Sequence, residues 1–213
     1  MFRALGLGSE VFQTYNYMKE SFVFLADGFE EIEAISVIDI LRRAGMNVKT
    51  VSITASLQVK GAHGVGVIAD SIFDPTMFAD AEWLILPGGM PGASNLYNFA
   101  PLQGLLHNQA GSQEGRIAAI CASPGEILGQ LGLLKGEKFT CYPGFEGKVD
   151  GGQFVDEKVV VSGKFVTANG PSSATLWALA IVKESLGEDK AQEVATGMLL
   201  YTRKLHDTDY NFG

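Results

Sequence analysis

The stretch RIAAICASPGE, residues 116–126, constrains what this chain can fold into more than any other segment. Residues 116–120 read as a buried strand that runs into Cys121 with no intervening loop. Ser123 and Glu126 stand at capping-box spacing, and Pro124 suits a first helical position, where its missing N–H costs nothing. So short a strand-to-helix turn pushes the side chain between the two elements outward. That is the geometry of a nucleophile elbow, here with sulfur in place of a hydroxyl. A thiol at a helix N-terminus also meets the positive end of the peptide dipoles, which favours the thiolate. The competing expectation for Cys121 is a small buried hydrophobe, the commonest fate of a free cysteine.

On either side of this turn, strand and helix patterns alternate. Residues 21–26 form an apolar run suited to a central strand, and residues 30–44 then show helical spacing at Ile32, Ile35, Ile38 and Leu41, stopped by Gly45. Strands are expected at 47–53 and 83–86, an alternating segment at 62–69, and a helix at 101–108. Beyond the turn, strands are expected at 138–141, 158–162 and 165–168. Helices follow at 172–186, with an apolar face at Leu176, Leu179, Ala180 and Val182, and at 189–200. This order predicts an α/β fold with right-handed crossovers and a mostly parallel central sheet. No repeat, low-complexity tract or linker divides it. Ligands in such folds gather at the carboxyl ends of the strands.

A chain of 213 residues is long enough for one well-buried core, and 46% hydrophobic with 19% charged residues fits a compact domain. The net charge is −8 and the 16 Lys and Arg residues are scattered, which argues against nucleic acid or an anionic membrane as the main partner. The most apolar region, 115–134, is interrupted by Pro124, glycines and Glu126, so no membrane span is expected. Residues 1–17 lack both a signal-peptide core and strong periodicity, and read as an extension preceding a single domain over 18–213. Two cysteines make no disulfide framework and no Cys/His cluster has zinc spacing, so a reducing cytoplasm and no metal are expected.

Three loops at expected strand ends carry unusual residues: DGFEEIE at 27–33, LPGGMPG at 86–92, and the turn at Cys121. Glu33 is either a buried, partnered acid or a solvated first-turn glutamate, and acids favour helix N-termini in any case. Gly88-Gly89 offers unobstructed backbone N–H groups for an oxyanion, or is simply a tight turn requiring positive φ. Walker-type spacing is absent, so nucleotide phosphate binding of that kind is not expected.

Taken together, GFEEIEA at 28–34, LRRAGMNV at 41–48, ILPGGMPGA at 85–93, AAICASP at 118–124 and NGPSSATLWALAIV at 169–182 resemble the ThiJ/PfpI superfamily, and within it the Parkinsonism-associated deglycase branch. The resemblance runs in order from about Phe22 to about Leu200. It implies a flavodoxin-like three-layer sandwich, a homodimer, no cofactor, and Cys121 as nucleophile beside Glu33 as the acid sharing its proton. Gly89 and Ala122 take the places of the backbone donors of a small anion pocket. Tyr142 stands where branch members carry an assisting histidine, and a neutral phenol donates a hydrogen bond but is no base near pH 7. Ala122 stands where peptidase-type relatives carry a histidine, which argues against proteolysis. His63 falls where relatives place a basic residue near the pocket or dimer face. Cys141 is a candidate to resolve an oxidised Cys121, against the plainer expectation of a buried reduced thiol, and His107 and His206 match nothing and read as surface residues. The implied activity is on small reactive carbonyls, such as a 2-oxoaldehyde or a glycated side chain. The alternatives are an oxidative-stress sensor or chaperone using a Cys121 sulfinate, and a binding module with a vestigial cysteine.

Overall fold

The computed structural model describes residues 19–200, so the expected extension over 1–17 and His206 lie outside the described residues. Elements follow in the order β1 (Glu20–Leu25), α1 (Glu31–Arg43), β2 (Asn47–Ser52), β3 (Gln58–Lys60), β4 (Gly66–Ile68), β5 (Ser71–Ile72), β6 (Trp83–Leu86), α2 (Gly92–Asn98), α3 (Ala100–Gly111) and β7 (Arg116–Ile120). A π-helical turn, Pro124–Gly129, leads to β8 (Lys138–Phe139), β9 (Gln153–Phe154), β10 (Val159–Ser162), β11 (Phe165–Ala168), α4 (Ala174–Leu186) and α5 (Glu188–Gly197).

Seven strands form the main sheet in the order β10-β11-β7-β6-β1-β2-β5. Every pairing is parallel except β10 with β11. Successive residues of the central strands feed opposite cores. Val23, Leu25, Ile85, Ala118 and Ile120 pack with α1, α4 and α5 on one face. Phe22, Phe24, Leu84, Leu86, Ile117 and Ala119 pack with α2, α3 and the π-helical turn on the other. Strands buried on both sides need continuous apolar runs, which is what the sequence shows there. The architecture is the flavodoxin-like α/β sandwich with a mostly parallel sheet. Among the described residues no helix is long and apolar enough to cross a membrane.

The structure corrects several local expectations. The buried stripe of α1 is Ala34, Val37, Ile40 and Leu41, whereas Ile32 and Ile35 are 58% and 45% exposed. This helix carries two apolar stripes, and only the packed sheet decides which one turns inward. On α4 the buried set centres on Trp177, Ala178, Ile181 and Val182; Leu179 is buried as expected, while Leu176 and Ala180 are only partly covered. The alternating 62–69 segment contributes β4 to a hairpin with β3, a two-stranded sheet separate from the main one. Helix α2 was not legible, because its short run GASNLYN begins inside the glycine-rich loop.

Candidate functional site

β1 pairs with β2 on one side and β6 on the other, so the chain changes direction in the sheet at β1, and in folds of this class ligands bind beyond the strands' carboxyl ends at such a point. The loops after β1, β6 and β7 meet there. Cys121 leaves β7 with φ +62, in the left-handed region that a non-glycine residue enters only when its surroundings hold it. Two backbone hydrogen bonds hold it: Cys121 N–H donates to the Ala168 carbonyl at 2.9 Å, and the Cys121 carbonyl accepts from Tyr142 N–H at 2.8 Å.

The expected capping box does not form. Ser123 is itself helical, and its hydroxyl donates to the Pro87 carbonyl at 2.6 Å, tying the cysteine turn to the glycine loop. Glu126 is drawn to Ser94 and Lys148 instead of to the backbone N–H of Ser123. Tertiary partners outcompete the local cap. Pro124 does occupy the first turn, as its missing N–H predicts.

Glu33 is fully buried, which overturns its reading as a solvated first-turn acid. Its own N–H is capped by Glu30 Oε2 at 2.7 Å, and its Oε2 accepts from Gly88 N–H at 2.7 Å. Its other oxygen, Oε1, is buried without a hydrogen-bond partner. Gly88 lies against both the acid and the cysteine, whose side chains share a hydrogen bond. A Cβ built on it would meet Cys121 Cβ at 2.6 Å and Glu33 Oε2 at 2.7 Å, so any side chain at 88 would fill the space they share. Gly89 has φ +88, so the reading of the glycine pair as a tight turn needing positive φ holds, and the Gly89 N–H also lies on the Cys121 sulfur.

Burial, aided by the negative charge of Glu30, raises the Glu33 carboxyl to about 7, against the opposing hydrogen bond from Gly88. Burial and the neighbouring Glu33 carboxylate push the Cys121 thiol up to about 12. The N–H groups of Gly89 and Ala122 point at the sulfur and favour the thiolate, but they are outweighed. The expectation of a dipole-stabilised resting thiolate is therefore corrected. Of the pair, Glu33 is the group that gives up its proton first, and Cys121 rests as the thiol.

The auxiliary candidates lie around this pair. Tyr142 is 48% exposed, with its N–H on the Cys121 carbonyl and its ring 3.4 Å from the space a Cβ at Gly170 would occupy. Cys141 is a buried free thiol packed in a different apolar cluster from Cys121, as the plainer reading expected, but it lies beyond β8, which ends at Phe139, and not in a strand. Burial, then Glu146, pushes it up to about 12. His63 is exposed, with Nδ1 2.8 Å from Glu31 Oε2, and Glu31 raises its pKa. Glu31 Oε1 also accepts from the N–H groups of His63 and Val65, at 2.7 and 3.3 Å. Glu30, Glu31 and His63 bring donor atoms within 4.8 Å of one another, and the Glu31 oxygens are already taken up in bracing the hairpin loop. His107 is exposed, as expected. Sequence reasoning missed Ser94 and Lys148, and missed what Ser123 and Glu126 bind, because these partners come from distant segments.

The sequence profile of the DJ-1/PfpI family matches residues 19–184. The chain is 37% identical over 184 residues to protein dj-1beta of Drosophila melanogaster, an overlap covering 85% of this chain and 97% of that one. It is 33% identical over 173 residues to the glutathione-independent glyoxalase DJR-1.2 of Caenorhabditis elegans, covering 80% and 90% of the two. It spans less than half of the Arabidopsis thaliana DJ-1 homologues B and A, 42% and 47% of their lengths. The solved structure of oxidized Toxoplasma gondii DJ-1 superposes with a TM-score of 0.80 at 37% identity, covering 85% of this chain and 98% of that one.

Proposed function

The chain belongs to the DJ-1/PfpI family, and from that membership we propose that it is a cofactor-independent cysteine enzyme acting on small reactive carbonyls. The observation that carries this reading is one buried acid and one thiol flanking Gly88, with two backbone N–H groups aimed at the sulfur. The similarity to a protein named as a glutathione-independent glyoxalase supports it.

Cys121 sulfur attacks the aldehyde carbon of a 2-oxoaldehyde; the C–S bond forms, and the thiol proton travels through Glu33 to the carbonyl oxygen, giving a hemithioacetal. Glu33, again a carboxylate, removes the proton from that carbon, and the neighbouring carbonyl oxygen takes up a proton to give an enediol. Return of the carbon's proton to the neighbouring carbon, with loss of the first hydroxyl's proton, leaves a thioester. Gly89 and Ala122 N–H groups steady the oxyanion, and water then cleaves the thioester to release a 2-hydroxy acid and the thiol. Methylglyoxal plus water becomes lactate with no net oxidation. A side chain carrying a 2-oxoaldehyde as its hemiaminal enters the same sequence when the C–N bond breaks, the amine leaving with a proton and the freed aldehyde carbon bonding to Cys121.

The base must be the Glu33 carboxylate, so turnover should rise with pH through about 7. The test is lactate formation from methylglyoxal without glutathione, in a non-amine buffer. No turnover above buffer would favour a second reading. In that reading the same donors and acid hold a Cys121 sulfinate formed by peroxide, with protonated Glu33 donating to one oxygen. The same site also argues for a homodimer: Ile32 and Ile35 on α1, with Val65 and Ile68 on the hairpin that Glu31 braces, leave apolar side chains exposed for a second copy to cover.

A further inference from the structure

Glu126 is a buried carboxylate, 6% exposed, that the proposed chemistry does not use. It lies in the first turn after Cys121, and each of its oxygens holds a different wall of the site. Oε1 accepts from the Ser94 hydroxyl at 2.8 Å; Oε2 pairs with the Lys148 ammonium. Ser94 sits in the first turn of α2, whose Ala93 N–H donates to the Gly89 carbonyl at 2.8 Å. Lys148 N–H donates to Phe145, and Phe145 N–H donates to Tyr142, the residue bonded to the Cys121 carbonyl. One side chain thus bridges the loop that supplies the Gly89 N–H and the segment that pins the cysteine turn.

The neighbouring glycines make the bridge possible. A Cβ on Gly125 would run into the Phe145 carbonyl, and one on Gly129 would meet Val149 Cγ2 at 2.7 Å and the Lys148 carbonyl at 2.9 Å. Residues 145–149 therefore lie directly on the π-helical turn, close enough for Lys148 to reach back to Glu126. Glu126 is buried while the Lys148 side chain is 41% exposed. Such a half-buried ion pair is a poor source of stability compared with apolar packing, and the best-attested use of a pair with a buried partner is to fix one arrangement among several.

We propose that Glu126 is a positioning residue for the Cys121 site: its two oxygens set the distance between the Gly89 loop and the Tyr142 segment, and so keep the Gly89 N–H on the sulfur. This deepens the reading of the site as a reactive-thiol centre. Its test reads the thiol directly, so it stands or falls apart from carbonyl turnover.

The experiment follows the rate of Cys121 alkylation by iodoacetamide at pH 8 in the full-length native protein, quantified by mass spectrometry of the Cys121 peptide, alongside thermal unfolding. Losing a hydrogen bond to a thiolate corresponds to roughly a tenfold change in its equilibrium. Glu126→Ala should therefore slow alkylation about tenfold. Glu126→Gln, which can still accept from Ser94, should recover part of that rate. Ser94→Ala and Lys148→Met each remove one arm, and Ser94→Ala should slow alkylation while leaving the unfolding temperature near wild type. If Glu126→Ala does not fold, the two single-arm variants decide the matter. An unchanged or faster rate in both of them, or a lowered unfolding temperature with no change in rate, would overturn the proposal and leave Glu126 a structural brace.

Discussion

Glu33 imposes a stability cost that its function explains. Its carboxyl rises from 4.5 to about 7 on folding, so between those values the folded chain holds a proton that the unfolded chain has lost. The fold therefore loses stability as pH rises through that window, by roughly 3 kcal/mol once the group is ionised. Glu33→Gln removes the charge while keeping an acceptor for Gly88 N–H. At pH 8 its unfolding temperature should exceed wild type by on the order of 5 °C, with little difference at pH 5; an equal or lower value at pH 8 would contradict the buried-charge account. Gly88→Ala should abolish turnover and destabilise by about 1–3 kcal/mol, since its methyl enters the space between acid and thiol; steady-state kinetics and thermal unfolding check both. Cys121 was legible because strand, cysteine and Pro124 are contiguous. The burial of Glu33 was not, because it depends on Gly88, 55 residues away. The thiolate expectation failed for a related reason: the helix end is local, whereas desolvation and the Glu33 charge arise only in the assembled crevice.

At the scale of elements, the hairpin of β3 and β4 is tied to the site by side chains more than by its own short ladder. Lys60 N–H donates to Asp27 Oδ1 at 2.9 Å, and Glu31 accepts from His63 and Val65. Glu31→Ala should lower amide-exchange protection at His63 and Val65 by roughly tenfold or more while β1 and β7 stay protected; unchanged protection at both amides would show that the hairpin holds itself. The main strands were readable because burial on both faces leaves nothing but apolar runs. The hairpin and α2 were not, since three-residue strands and a helix starting within glycines carry no period. On α1 the period was clear but its phase was not: Ile32 and Ile35 outrank Ala34 and Val37 in hydrophobicity, yet Glu33 must face the crevice, and that turns the smaller residues inward.

For the whole molecule, the alternation of strands and helices sufficed to place three loops at one end of a parallel sheet, and the family motifs named the same loops. What covers α1 is a property of the assembly. If a second copy does, light scattering should give twice the chain mass, and Ile32→Glu with Ile35→Glu should return it to a monomer with an intact fold; a monomeric wild type would contradict the pairing. The central claim is that Cys121 and Glu33 act together on a carbonyl. Its most direct test is glutathione-free conversion of methylglyoxal to lactate by wild type, Cys121→Ser and Glu33→Gln under one set of conditions. The account predicts turnover by the wild type and its loss in both variants; full turnover retained by either variant would contradict it.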